Sequence, residues 1–300
     1  MKCLLLGGGG FIGSHTVDAL LGHGHDVRVF ERDDCDMSNL AHVADEIEAV
    51  RGDFFNASDL QRSMQGMDVI VHLVSTTLPK SSNEDMAGDI QANVIGTLHM
   101  LDAARKAGVR KVIFASSGGT VYGVPQSLPV TEEHPTWPIC SHGIGKLTVE
   151  KYLHLYHYLH GLDYCVLRIA NPYGARQNPL SGQGVVAAFL RNCLRGEPVT
   201  IWGDGSAARD FFYVVDLAEA IRMAVEHATP SRVYNIGSGE SHTLHEMLDV
   251  VRAVTGCVPE VRYHPARNCD VPATFLDIAR VTRELAWQPR TSLDEGIART

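Results

Sequence analysis

The sequence predicts an α/β protein, a doubly wound parallel sheet with a smaller interleaved lobe. Three observations carry that prediction. Short β-branched or Leu-rich runs recur, separated by stretches with apolar residues at spacings of three and four, the pattern of a parallel sheet covered on both faces by helices. The first run passes into Gly7-Gly8-Gly9-Gly10 just where a helical pattern opens, and an acid, Glu31, follows the second run.

The strands are expected at Lys2–Leu6, Asp26–Phe30, Ile47–Arg51, Val69–Val74, Lys111–Ala115 and Asp163–Arg168. Met1–Leu6 runs straight into glycines with no small-residue cleavage site after it, so it reads as a buried first strand and not as a signal peptide. Helices are expected at Ile12–Gly22, Ser58–Gln65, Ile90–Ala107 and Ile144–His160. After Arg168 the pattern changes to loops rich in Gly, Pro and Asn, a helix over Val185–Arg195 and short strands. A helix over Val214–His227 followed by Val233–Ile236 reads as one more piece of the first lobe. The expected division is therefore 1–168 plus about 211–236 for a Rossmann domain, and about 169–210 plus 237–300 for the second lobe.

With 300 residues, 45% apolar and 20% charged, the chain is long enough to bury a sizeable core, which excludes disorder and small disulfide scaffolds. A formal charge of −9 without a dense run of Lys or Arg makes nucleic acid and anionic membranes poor partners. The longest stretch free of charge, 112–131, is interrupted by Gly and Pro and makes no membrane helix. Seven cysteines without CxxC spacing read as reduced thiols, the usage of a cytoplasmic protein. His154, His157 and His160 recur at steps of three on one helix, but such steps drift by about 60° around the axis, so no metal site is expected.

Gly7, Gly10 and Gly13 follow the first strand at three-residue spacing as the helix opens near Phe11-Ile12. Glycines there permit a tight turn, close approach of a pyrophosphate and tight helix–strand packing, so the loop reads as a dinucleotide-binding site. Glu31 stands where a carboxylate accepts hydrogen bonds from an adenosine ribose, which favours NAD over NADP; the neighbouring Arg32 would instead attract a 2′-phosphate. Asp53 and Phe54, after the third strand, are candidates for the adenine edge and face, or a helix cap and core.

Further ordered motifs carry a family resemblance: Val71-His72-Leu73-Val74, Asn93-Val94-Ile95-Gly96-Thr97, Ser116-Ser117-Gly118-Gly119-Thr120-Val121-Tyr122-Gly123, Leu167-Arg168-Ile169-Ala170-Asn171-Pro172-Tyr173-Gly174, Gly203-Asp204-Gly205, Arg209-Asp210-Phe211 and Arg267-Asn268-Cys269-Asp270. With the glycine loop, they make the chain resemble the nucleotide-sugar epimerase and dehydratase branch of the extended short-chain dehydrogenase/reductases over essentially its whole length. The resemblance implies NAD as cofactor, with Leu73, Val74 and Ser75 beside it, a nucleotide sugar, UDP-linked first of all, as substrate, and a homodimer built on the helices Ile90–Ala107 and Ile144–His160.

In that family a Tyr-x-x-x-Lys pair does the proton work, with a Ser or Thr hydroxyl beside it. Here the helix carries Ser141-His142-Gly143-Ile144-Gly145-Lys146: the lysine is kept and His142 stands at the tyrosine position. Gly118 falls at the usual hydroxyl position, leaving Ser117 and Thr120 as substitutes. Imidazole titrates near 6.5 against about 10 for a phenol, so His142 is a chemically acceptable base near neutrality, though it reaches less far; the alternative is that it only fills space. Asn171, Arg209 and Arg267 match family positions that hold the sugar and clamp the diphosphate. Phe275 and Val185-Val186 are candidates for the nucleoside pocket wall or ordinary core. Gly119-Thr120 stand where a 4,6-dehydratase would show Asp-Glu, so the resemblance points to NAD-dependent C4 epimerisation, with a 4-ketosugar reductase or a silent binding protein as the alternatives.

Overall fold

The computed structural model describes residues 1–77, 81–266 and 271–300. In chain order the elements are β1 Lys2–Leu6, α1 Phe11–Gly22, β2 Asp26–Glu31, β3 Ile47–Arg51, α2 Ala57–Met64, β4 Val69–His72, the single turn α3 Met86–Asp89, α4 Gly96–Ala107, β5 Lys111–Ser117, α5 Ser141–His160 and β6 Asp163–Ile169. Then follow β7 Asn171–Tyr173, α6 Val185–Arg195, β8 Val199–Trp202, β9 Ala208–Arg209, β10 Phe211–Tyr213, α7 Val214–Glu226 and β11 Val233–Ile236. The remaining elements are β12 His242–Thr243, α8 Leu244–Thr255, β13 Val261–His264, β14 Ala273–Thr274, α9 Ala279–Leu285 and α10 Leu293–Ala298.

Seven strands form one parallel sheet in the order β11-β6-β5-β4-β1-β2-β3, the doubly wound architecture expected. Alternation along its strands builds two cores. Leu5, Val29, Val71, Ile113 and Cys165 face one side, where α1 and α7 pack. Leu4, Leu6, Ile70, Val112, Phe114 and Val166 face the other, where Met100, Leu101, Val149 and Leu153 of α4 and α5 close over them. The remaining short strands pair among themselves, β7 with β10, β8 with β13, and β9 with β12 and β14, and a third core gathers Val186, Phe189, Ile201, Leu248 and Val251. Strand order reverses between β1 and β4, and in open parallel sheets the crevice beyond the strand C-termini at such a point is where ligands bind.

Several expected ends shift by one or two residues, β4 stopping at His72 and not Val74 and β5 running on to Ser117, and two helices differ more. The helix predicted from Ile90 is preceded by the α3 turn and runs through Ile90–Ile95 in wider π geometry before α4 continues it. Such widened turns occur often at functional sites. The helix predicted from Ile144 starts at Ser141, because its first turn is capped from outside its own segment: the Ser141 N–H donates to Asn83 Oδ1 (2.8 Å) and the His142 N–H to Ser82 Oγ (3.1 Å). No helix among the described residues is long and apolar enough to cross a membrane.

Candidate active site

The glycine loop lies between β1 and α1, and its geometry is dictated by what a side chain would meet. Gly7 has φ +88°, a conformation that favours glycine. A Cβ on Gly13 would fall 2.2 Å from the Gly7 carbonyl oxygen and 2.7 Å from Gly8 Cα, so α1 packs directly onto the loop. Gly10 caps α1 without a side chain, leaving the first-turn N–H groups at Phe11 and Ile12 uncovered by any capping group. This cradle fits the pyrophosphate of a dinucleotide. Glu31 ends β2 and reaches back so that its Oε1 accepts the Gly9 N–H at 2.8 Å, tying the end of β2 to the loop. Arg32 is exposed and pairs with Asp34. Leu73 and Val74 run alongside Gly7, whose added Cβ would meet the Val74 nitrogen at 3.4 Å; Ser75 is exposed.

Asp53 is exposed and accepts the Phe55 N–H (2.9 Å). Phe54 is turned into the core, stacked on His72 with centroids 5.5 Å apart and packed beneath Gly96.

The other wall is α5, where a spacing of four puts His142 and Lys146 on one face above the C-terminal half of β5. Lys146 Nζ donates to the Ala115 carbonyl at 2.8 Å and lies 4.8 Å from the Phe114 ring centroid. Burial lowers its pKa from 10.5 to about 8, with the charges of Asp89 and Glu150 opposing that fall. His142 is held down to about 4, chiefly by burial and next by the Lys146 cation, while Asp89 and a hydrogen bond to the Thr77 carbonyl pull the other way. At neutral pH the imidazole is therefore uncharged, with one ring nitrogen committed to Thr77 and the other left as an acceptor.

Beneath them, Glu150 continues the same helix face. It accepts the Ser116 hydroxyl (2.5 Å) and both arms of Arg168 (3.1 and 2.6 Å), and Arg168 also donates to Tyr122 OH (3.0 Å), which donates to Asn235 Oδ1 (2.6 Å). This buried network joins α5 to the ends of β5, β6 and β11.

Ser116 faces α5, so alternation turns Ser117 to the opposite side of the sheet, paired in register with the core residue Ile169. Gly118 is enclosed: a Cβ there would lie 2.6 Å from Leu276 Cδ1 and 3.1 Å from the Arg168 carbonyl oxygen. Thr120 packs against the first turn of α5, its carbonyl 2.7 Å from where a Gly143 Cβ would stand, and its buried Oγ1 has no hydrogen-bond partner among the described residues.

On the second-lobe side, the Asn171 side-chain amide donates to the Asp210 carbonyl (3.0 Å), and Arg209 Nη1 donates to the Ala208 carbonyl (2.9 Å). Arg267 lies outside the described residues. Phe275 is half-buried, and Val186 is wholly turned into the lobe's core while Val185 stays at its edge. His154 and His157 have separate partners, Tyr164 OH and the Leu162 carbonyl, and His160 sits edge-on to Tyr156.

Asp89 and Leu276 carried no sequence signal of their own, and His72, quoted in a motif, was given no place in the site. Asp89 lies one helical turn before Asn93, a motif residue, and that spacing was the available signal. Nothing local marks Leu276.

The chain matches the NAD dependent epimerase/dehydratase family over residues 3–237. It is 38% identical to a UDP-glucose 4-epimerase of Mycolicibacterium smegmatis over 305 residues, covering 100% of this chain and 97% of that protein. The crystal structure of a UDP-glucose 4-epimerase with UDP-glucose from Thermotoga maritima superposes with a TM-score of 0.94 at 36% identity, covering 100% of this chain and 97% of that one. That of a Thermus thermophilus UDP-glucose 4-epimerase in complex with NAD gives 0.93 at 35% identity, with the same coverage.

Proposed function

Since this chain belongs to the NAD dependent epimerase/dehydratase family, we propose that it epimerises a nucleotide sugar at C4, a UDP-hexose or UDP-N-acetylhexosamine, using bound NAD. The observation that carries the reading is the pairing of His142 and Lys146 on one face of α5, beside a glycine cradle that fits a dinucleotide.

When bound, NAD supplies a reversible hydride acceptor. The chain's residues do the rest. The first-turn N–H groups of α1 hold the pyrophosphate, and Glu31 accepts from the adenosine ribose, with a preference for an unphosphorylated 2′-hydroxyl. Leu73 and Val74 border the loop from β4. Neutral His142 accepts the C4 hydroxyl proton at its uncommitted ring nitrogen and returns it after the 4-keto sugar has turned over. Lys146 keeps a positive charge beside that exchange and stabilises negative charge at the C4 oxygen. Thr120, whose hydroxyl has no hydrogen-bond partner among the described residues, is the residue to hydrogen-bond the sugar hydroxyl in place of the serine missing at 118. Asn171, Arg209 and Arg267 hold the sugar and diphosphate; guanidinium forks suit phosphate oxygens. The acting unit is a homodimer, supported by the exposed apolar face of α5 at Leu155, Leu159 and Tyr158, the last 80% exposed.

The test is NMR of purified protein with UDP-glucose or UDP-N-acetylglucosamine, with and without NAD. C4 isomerisation without net NADH, lost in Lys146→Met and His142→Phe, is expected. Stoichiometric consumption of NADH by a 4-keto sugar would replace this reading with a reductase, and binding without hydride exchange would replace it with a silent binding protein.

A further inference from the structure

Asp89 is 2% exposed, yet it carries a carboxylate into the wall of the site. It accepts hydrogen bonds from the Thr77 hydroxyl, from Asn93 Nδ2 at 2.8 Å and from Ser141 Oγ at 2.6 Å. Its Oδ2 lies 4.0 Å from where a Cβ on Gly145 would stand, and it shares the lining of one small cavity with His72, Asn93, His142 and Lys146. A buried carboxylate is costly unless bonded and matched by a cation, and among the described residues that line the cavity the cation is Lys146. Each of the three donors belongs to a different piece of the site: Thr77 to the loop whose carbonyl takes the His142 ring proton, Asn93 to the π segment, and Ser141 to the residue just before His142. Asn93 completes the clamp, accepting the Thr76 N–H at 3.0 Å and donating to the Thr77 hydroxyl at 3.1 Å.

We propose that Asp89 is a positioning residue of this site: it clamps Thr77 and Ser141 so that His142 is held in a single tautomer, and it is the counter-charge that keeps Lys146 protonated. The proposal rests on the epimerase reading for its catalytic meaning, though not for its geometry. Among the described residues, the other titratable groups around Lys146 are His142 and Glu150 on α5 and His72 on β4. His72 is uncharged, its pKa lowered to about 3 by burial and by Lys146, and Glu150 is engaged by Arg168 and Ser116. Of the two carboxylates that act on Lys146 among the described residues, Asp89 is thus the one not already matched by an arginine.

The experiment uses the full chain with 13C,15N-lysine and 15N-histidine labels. The expected result for the native protein is a Lys146 midpoint near 8 and His142 nitrogens that report one tautomer. In Asp89→Asn the lysine midpoint falls by about one unit, the lower end of what losing a neighbouring opposite charge is worth, and the alkaline limb of turnover falls with it. Asp89→Glu keeps the charge and keeps that midpoint. Thr77→Val, in a half-buried loop, leaves the lysine midpoint in place while the His142 nitrogens report mixed tautomers. An unmoved lysine midpoint in Asp89→Asn, an equal fall in Asp89→Glu, or a single tautomer in Thr77→Val overturns the proposal. If the native protein isomerises no UDP-hexose, the epimerase reading fails, and the lysine and histidine titrations still decide the role of Asp89.

Discussion

Alkali should switch this enzyme off at a pH where most lysine-dependent enzymes still work. The perturbation is pH itself, and the magnitude follows from two buried groups. His142 is uncharged above about pH 4, because burial and the Lys146 cation disfavour the imidazolium. Lys146 is charged below about pH 8, because burial outweighs the attraction of Asp89 and Glu150. Their product, neutral imidazole with charged lysine, is maximal between those limits. The profile of kcat/KM should therefore be a broad plateau, falling about tenfold per unit above pH 8 and similarly below pH 4. The assay is UDP-glucose to UDP-galactose conversion by coupled spectrophotometry at fixed ionic strength, with NAD retention checked at each pH. In His142→Tyr the base is a phenol that ordinarily titrates near 10, so the acid limb should move to much higher pH. A native rate that climbs through pH 6 to 7 would mean an unshifted imidazole is the base, and a rate flat from pH 8 to 10 would mean the lysine charge is not needed; either refutes the reasoning.

Gly13→Ala should weaken NAD binding measured by calorimetry by at least about tenfold, since its Cβ would press to 2.2 Å from the Gly7 oxygen, and such overpacking costs about 1–3 kcal/mol even where the chain shifts. Gly118→Ser alone should not raise turnover, because Leu276 occupies the space 2.6 Å from the new Cβ; paired with Leu276→Ala it should, and a gain from the single change would refute the packing argument. Glu150→Ala should lower stability by about 3–5 kcal/mol in urea unfolding, since it leaves Arg168 buried without its carboxylate. Stability should also fall on acidification from pH 6.5 towards 4, because the unfolded chain takes up the protons that His72 and His142 refuse when folded; His72→Phe should flatten that fall in a melting-temperature series.

The features legible in the sequence were those fixed by a few neighbouring residues. A strand followed by glycines at 7, 10 and 13 demands a tight turn under a helix, and the structure supplies it. Alternating apolar runs and helical spacings fix a parallel sheet with two covered faces. The four-residue step from His142 to Lys146 fixes one helix face. What only the tertiary structure decided joins residues distant in the chain. Asp89 meets Ser141 across 52 positions, Leu276 fills the space at Gly118, Phe54 stacks on His72, and strand phase turns Ser117 away from α5. The protonation states divide between the two classes: the Lys146 cation four residues from His142 is a local cause, but the burial that contributes most to both shifts, and the approach of Asp89 to this helix, depend on how the chain closes around them.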